Sequence, residues 1–268
     1  MSRPLTGFRY LDEPAGVIAF AHRGGARHPD LLGLENTMAA FAHAVELGYV
    51  YLETDVHATS DGILLAFHDD VLDRVTDRRG VIYEQPYVDV AAALIGGSHA
   101  IPRLEDLMEA FPRQKINIDI KSRGAIEPLA RLIEHRKAFD RVCVGSFDEG
   151  VIRAFRRRIA RPVVTACGPV AVAATRAGAP VRGLLRDSGL AFQVPYRTRG
   201  MTVVTPQFIR RAHAGGRHVH VWTIDDPQEM RDLLDLGVDG LITDRTDLLR
   251  DVLIERGQWP TTGRGSRA

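Results

Sequence analysis

The chain has 268 residues, 45% of them hydrophobic and 26% charged, a balance that supports one sizeable buried core and excludes a disordered chain. Its 35 basic and 34 acidic side chains leave a formal net charge of +1, which argues against nucleic-acid binding. No apolar run approaches the roughly 20 residues of a membrane span, and residues 1–16 lack a secretory pattern, so a cytoplasmic protein without stable membrane insertion is expected.

In chain order, Met1–Pro14 reads as a frayed end, and Val17–Ala21 as a buried strand running into His22-Arg23-Gly24-Gly25. Asn36 reads as the N-cap of a helix. Its Met38, Phe41, Ala42 and Val45 fall at i, i+3, i+4 and i+7, and Gly48 stops it. Tyr49–Val56 is the next strand. Ser60-Asp61-Gly62 then turns the chain into Ile63–His68, an extended piece expected to pair back as a hairpin and to stand outside the main sheet. Residues 69–103 contain Gly80, Pro86, Gly96, Gly97 and Pro102. That stretch is long for a plain connection and predicts a loop-rich, substrate-side insertion with a short helix near Val88–Leu94.

After a helix over Leu104–Phe111 the pattern alternates. Strands are expected at Ile116–Ile120, Val142–Phe147, Val163–Ala166, Ala191–Val194, Val219–Ile224 and Leu241–Thr243. Helices between and after them span Ile126–Arg136, Gly150–Ile159, Val170–Ala177, Pro206–Ala214, Pro227–Leu236 and Leu248–Arg256. Eight strand–helix units at this length predict a single-domain α/β fold, a closed (β/α)8 TIM barrel over residues 17–256. Residues 1–16 would precede it, and residues 257–268, with a frayed Pro260–Ala268 end, would form a flexible C-terminal tail. No Gly-x-Gly-x-x-Gly opens the first helix, so a dinucleotide-binding open sheet is not indicated. Cys143 and Cys167 are expected to be buried thiols of a reducing compartment.

In such a barrel, chemistry sits at the C-terminal ends of the strands, where His22, Asp55, Lys121, Phe147 and Trp222 fall. Glu53 and Asp55 are two apart, so both side chains leave one face of their strand. Carboxylates that close repel, and one would hold a proton unless a cation joined them. Asp119 and Lys121 repeat the spacing on the following barrel strand. Glu53, Asp55 and Asp119 together form a hard oxygen set suited to one divalent cation, Mg²⁺ or Ca²⁺. His22 and His68, beside that set, fit general acid and base roles. Arg23 and Lys121 can neutralise phosphate oxygens, and Phe147 and Trp222 can wall a substrate pocket. His57 lies next to the metal strand and lines the cleft, supports the ligands from behind or faces solvent. His218-Val219-His220 resembles a metal-binding His-x-His but begins the seventh strand, away from the catalytic end. The arginines from Arg153 to Arg161 read as a solvated helix face.

The ordered motifs make a specific resemblance. His22-Arg23-Gly24, Glu35-Asn36-Thr37, Glu53-Thr54-Asp55-Val56, Asp61-Gly62, His68-Asp69 and Leu72-Asp73-Arg74-Val75-Thr76 come first. Ile101-Pro102-Arg103-Leu104-Glu105, Val221-Trp222-Thr223 and Gly237-Val238-Asp239-Gly240-Leu241-Ile242-Thr243-Asp244 complete the series. Over about residues 17–253 the chain resembles the glycerophosphodiester phosphodiesterase family, which is related to the sphingomyelinase D enzymes. The resemblance implies a TIM barrel with one divalent cation that hydrolyses small glycerophosphodiesters. It implies His22 and His68 as the acid/base pair, Glu53 and Asp55 as metal ligands, and Arg23 and Lys121 as phosphate contacts. Glu35 would face the cleft and orient Arg23 or a metal-bound water. In the family's mechanism the glycerol 2-hydroxyl attacks phosphorus and leaves a cyclic phosphate that water opens. The family commonly carries Glu-Ile-Lys where this chain has Asp119-Ile120-Lys121, and spider-venom sphingomyelinase D enzymes carry Asp there. A lysophospholipase D with the same site, its acyl groove built by residues 69–103, and a non-catalytic phosphodiester-binding barrel are the other readings.

Overall fold

A computed structural model describes residues 7–12, 16–178 and 189–259. Eight parallel strands form the barrel: β1 (Ile18–His22), β2 (Tyr51–Ala58), β3 (Lys115–Ile120), β4 (Val142–Gly145), β5 (Val164–Thr165), β6 (Ala191–Pro195), β7 (His218–Trp222) and β8 (Gly240–Thr243). They are hydrogen-bonded in the order β5-β4-β3-β2-β1-β8-β7-β6. A parallel bridge between Ala166 and Ala191 joins the two ends, with the Cys167 amide donating to the Ala191 carbonyl at 2.7 Å. All eight strands lie where the alternation of the sequence expects them. The described helices are α1 (Met38–Glu46), α2 (Tyr87–Val90), α3 (Leu104–Ala110), α4 (Ile126–His135), α5 (Glu149–Arg158), α6 (Pro169–Ala177), α7 (Pro206–Ala214), α8 (Pro227–Leu236) and α9 (Thr246–Glu255).

The period of two along each strand splits the apolar residues into two cores. Ala19, Ala21, Leu52, Val56, Ile116, Ile118, Val142, Val144, Val219 and Val221 pack outward against the helices. Ile18, Phe20, Tyr51, Cys143, Val164 and Ile242 fill the lower interior with Tyr10 and Leu11. The expected frayed N-terminal end is therefore corrected at residues 9–11. They form a 3₁₀ turn with Tyr10 and Leu11 buried, and the Tyr51 hydroxyl donates to the Tyr10 carbonyl at 2.7 Å. Lys115 Nζ donates to the carbonyls of Arg9 and Asp12 at 2.8 and 2.9 Å. Within the expected tail, Trp259 packs edge-on to Tyr49, with ring centroids 5.0 Å apart. Residues 260–268 lie outside the described residues.

The hairpin forms as expected, with Leu64–Ala66 antiparallel to the end of β2. The insertion buries its own small core of Leu72, Ile82, Val90, Ala93, Ile95 and Ile101 against Leu65 and Phe67. Its helix is shorter than expected. α2 ends at Val90, and Leu94–Ile95 pairs with His99–Ala100 around Gly96 and Gly97, both at positive φ. The N-cap of α1 is Thr37, not Asn36: the Thr37 hydroxyl accepts from the Ala40 amide at 3.2 Å. Both cysteines are buried free thiols. The arginine cluster of α5 is also not simply solvated. Arg156 donates to the Thr165 hydroxyl and the Ala166 carbonyl, and Arg158 pairs with Glu127 and Glu134. None of the described helices is long and apolar enough to cross a membrane.

Candidate active site

Strand register brings the charged residues to one end of the barrel. His22 on β1 stands level with Glu53 on β2, and Asp55 on β2 stands level with Asp119 on β3. The Phe67 amide donates to the Asp55 carbonyl at 3.0 Å, so the hairpin delivers His68 to the same strand end. The His57 ring Nε2 lies 3.1 Å from the His68 carbonyl and fixes its backbone. His57 is fully buried, so the solvent-facing reading is corrected.

The loop from β1 to α1 supplies the next group. Arg23 has a left-handed backbone, φ 51°, as does Asn36, φ 58°. A conformation that side chains rarely adopt persists only where the surroundings hold it. Here the Arg23 amide donates to the Glu53 carbonyl at 3.1 Å, and the Asn36 amide donates to the Arg23 carbonyl at 2.9 Å. The turn aims the Arg23 guanidinium at two carboxylates, with Nε 3.1 Å from Asp55 Oδ2 and one terminal nitrogen 3.1 Å from Glu35 Oε1. Asn36 is buried, accepts from the Thr54 hydroxyl at 2.8 Å and donates to Asp55 at 3.4 Å. Its task is to brace the strand residues rather than to cap a helix.

Burying carboxylates disfavours their charge unless cations join them. Burial, then the Asp55 carboxylate, push Glu53 up to about 7. Burial also raises Asp119, against the pull of Lys121. For Asp55, burial is outweighed by the Lys121 ammonium and the Arg23 guanidinium, and its carboxyl ends below the usual value. Lys121 Nζ lies 2.9 Å from Asp55 Oδ1 and 2.7 Å from Asp119 Oδ2. Among the described residues, the His, Cys, Asp or Glu trio with ligand atoms within 4.8 Å of one another is His28, Asp30 and His43. Glu53, Asp55 and Asp119 are thus not drawn together to that distance while Lys121 spans two of them. Their chemistry still fits a hard divalent cation. They are three nearly buried oxygen donors from two adjacent strands, and burial and the Asp55 carboxylate leave Glu53 holding its proton to higher pH.

Both histidines have a carboxylate on Nδ1. Asp244, just past β8, lies 2.6 Å from His22, and Asp69 lies 2.5 Å from His68. Carboxylates only accept, so each ring carries its proton on Nδ1 and turns Nε2 toward the cleft. Burial lowers His22, but the Glu53 and Asp244 carboxylates raise it more, and it ends above its ordinary value. Asp244 is itself held by its amide, which donates to Asp225 at 2.9 Å. Arg74 ties Asp69 to Glu35, at 2.6 Å and 2.7 Å, so Arg23, Glu35, Arg74, Asp69 and His68 form one chain of ion pairs. Sequence reasoning assigned no role to Asp244, Asp69 or Arg74, although each stands inside a quoted motif. Phe147 and Trp222 meet edge-on at 5.6 Å, and Lys121 Nζ lies 5.3 Å from the Phe147 ring. His218 and His220 are buried on β7 and are not among the trio that could hold a metal.

The model of the glycerophosphoryl diester phosphodiesterase family matches residues 22–248. The chain is 43% identical over 252 residues to the probable glycerophosphodiester phosphodiesterase 2 of Mycobacterium tuberculosis, covering 91% of this chain and 93% of that one. Its fold is similar to a putative glycerophosphoryl diester phosphodiesterase from Silicibacter pomeroyi, with a TM-score of 0.78 and 22% identity over 94% of this chain and 99% of that one. It is also similar to an Oleispira antarctica phosphodiesterase solved with its product sn-glycerol-3-phosphate. There the TM-score is 0.75 and the identity 20%, over 88% of this chain and 96% of that one.

Proposed function

The chain belongs to the glycerophosphoryl diester phosphodiesterase family, and on that premise we propose that it hydrolyses glycerophosphodiesters to sn-glycerol 3-phosphate and an alcohol. The observation that carries this reading is the pair of carboxylate-braced imidazoles, His22 with Asp244 and His68 with Asp69, flanking a buried carboxylate set. Glu53, Asp55 and Asp119 are the residues assigned to hold one divalent cation, Mg²⁺ or Ca²⁺, which supplies Lewis-acid charge for the phosphate oxygens when bound. Arg23 and Lys121 place two more positive charges beside that position and bind the non-bridging oxygens, whose negative charge grows in the transition state.

Proton transfer falls to the imidazoles. The Nε2 of one takes the proton of the glycerol 2-hydroxyl as its oxygen bonds to phosphorus. The other, as imidazolium, gives a proton to the alcohol oxygen whose bond to phosphorus breaks. A cyclic phosphate and a free alcohol result. Water then adds to phosphorus with the two roles exchanged, and the ring opens to the monoester. Asp244 and Asp69 steady the rings in the charged form that each must pass through. Phe147 and Trp222 form the apolar wall against which the glycerol or the departing group rests.

A lysophospholipase D reading has one observation in its favour: Phe147, Val170 and Met201 are exposed apolar side chains in segments that follow β4, β5 and β6. Residues 69–103, the segment expected to build its acyl groove, bury a small apolar core of their own and leave Val71, Tyr83 and Val88 exposed. A panel assay separates the readings. Glycerophosphocholine, glycerophosphoethanolamine, glycerophosphoglycerol, glycerophosphoinositol and a lysolipid are each supplied with Mg²⁺ or Ca²⁺. Glycerol 3-phosphate from the short diesters, abolished by EDTA and restored by the ion, is the expected outcome. Release of lysophosphatidate alone would favour the second reading, and absence of turnover of every substrate would favour a binding barrel.

A further inference from the structure

A second cluster of ligating side chains stands apart from the carboxylate site and has no part in the chemistry described for it. His28 lies in the β1–α1 loop, Asp30 two residues on, and His43 on α1. One ligand atom from each falls within 4.8 Å of the other two. The imidazoles of His28 and His43 face each other, with ring centroids 4.3 Å apart and planes tilted by 55°. His28 is 9% exposed, and its Nδ1 accepts from the Asp30 amide at 3.2 Å and lies 3.9 Å from Asp30 Oδ2, so ion binding at that ring nitrogen would displace the amide hydrogen bond. The Nδ1 of His43 is buried and has no hydrogen-bond partner. A buried ring nitrogen without a partner forfeits its interaction with water and is unusual in a folded protein. A cation shared with His28 would satisfy it.

We propose that His28, His43 and Asp30 form a transition-metal site, of the Zn²⁺ class, that pins the β1–α1 loop to α1. Two neutral imidazoles and one carboxylate are the donors that borderline-soft divalent ions select, whereas Mg²⁺ and Ca²⁺ select oxygen alone. Donors on a tetrahedral Zn²⁺ stand roughly 3.4 Å apart, given bond lengths of about 2.0–2.1 Å, so ion binding asks for a small inward movement. Asp30, whose side chain is 80% exposed, is free to make it. The same loop carries Arg23 at one end and Glu35 at the other, so the ion would stiffen the segment that aims Arg23 at Asp55. The inference does not depend on the phosphodiesterase reading.

The test uses the full chain freed of metal and titrated with Zn²⁺ and with Co²⁺. Calorimetry, the thermal midpoint and the Co²⁺ visible spectrum are the readouts, and none of them requires turnover. Loss of a ligand should weaken Zn²⁺ binding by at least roughly tenfold, so His43→Gln and Asp30→Asn should each lose the Zn²⁺-induced rise in midpoint and the tetrahedral Co²⁺ bands. Asp119→Asn should keep both. Asp30→Asn guards against a folding defect, since its side chain is largely in solvent. Equal Zn²⁺ affinity and equal midpoint shifts in the parent, His43→Gln and Asp30→Asn would overturn the proposal. So would Co²⁺ bands lost only in Asp119→Asn.

Discussion

At the scale of single residues, His22 and His68 are each oriented by one carboxylate, and the two braces differ in their support. Asp244 comes from the far end of the chain and is fixed by Asp225. Asp69 is the very next residue and is fixed by Arg74. Asn in either place would offer its amide N–H to Nδ1 and favour the wrong tautomer. Asp244→Asn and Asp69→Asn should each lower kcat by about 10²- to 10⁴-fold, the range of a lost general acid or base, while circular dichroism stays unchanged. A fall confined to KM would contradict that role. Asp119 and Asp61 make a second contrast. Asp119 is almost buried beside Lys121, whereas Asp61 accepts from the Thr59 hydroxyl and the Tyr87 amide in a turn. Asp119→Asn should raise the Mg²⁺ concentration needed for half activity much more than Asp61→Asn does, as read in a metal titration of turnover. The positions of the histidines, carboxylates and basic residues were legible from their spacing at strand ends. Their partners were not, because Asp244 meets His22 across 222 positions of chain, and only closure of the barrel brings β8 beside β1.

At the scale of elements, the β1–α1 loop depends on its glycines. Gly24 has φ 84°, and a Cβ there would lie 2.8 Å from the Ala40 carbonyl carbon of α1. Gly24→Ala therefore meets both a left-handed backbone, worth about 1–2 kcal/mol, and a backbone clash. A stability loss of more than about 2 kcal/mol in urea unfolding is expected, together with reduced turnover, since Arg23 precedes it. Asp239 ties three other elements together. It lies 2.7 Å from the His213 ring of α7 and accepts from the Val219 amide of β7 at 2.8 Å, just before β8. Burial raises its carboxyl, but these bonds and the His218 charge outweigh burial and leave it below its ordinary 3.8. A depressed carboxyl stabilises the fold above its unfolded value and loses that contribution as pH falls through its folded value. The melting midpoint should thus fall as pH drops below about 4, and less so in Asp239→Asn, which starts lower at neutral pH. Element boundaries were less legible than their order. The α1 cap moved from Asn36 to Thr37 because a polar residue at a helix start can turn to a strand instead, as Asn36 does toward Thr54 and Asp55. The short α2 was overextended because Leu94 pairs across the Gly96-Gly97 turn, a contact local periodicity does not encode.

At the scale of the molecule, the barrel has an apolar lower half and a charged upper half. Tyr10 seals the lower end, buried and edge-on to Tyr51 at 5.4 Å. Tyr10→Ala should cost about 3–5 kcal/mol, the range for removing a large buried aromatic, with turnover at low temperature kept, because the site lies at the opposite strand ends. Equal stability of parent and variant would show that the segment merely rests on the barrel. The strand count and the closed architecture followed from alternation alone, whereas this seal did not, because a short polar-flanked Phe8-Arg9-Tyr10-Leu11 carries no periodicity to read. The whole arrangement converges on one claim, that the two braced imidazoles act together on a phosphodiester beside the Glu53, Asp55 and Asp119 set. Phosphorus NMR of glycerophosphocholine incubated with the Mg²⁺- or Ca²⁺-loaded protein tests it most directly. The diester signal should give way to sn-glycerol 3-phosphate, and should persist with either His22→Ala or His68→Ala folded as the parent. Undiminished conversion by either variant would contradict the account.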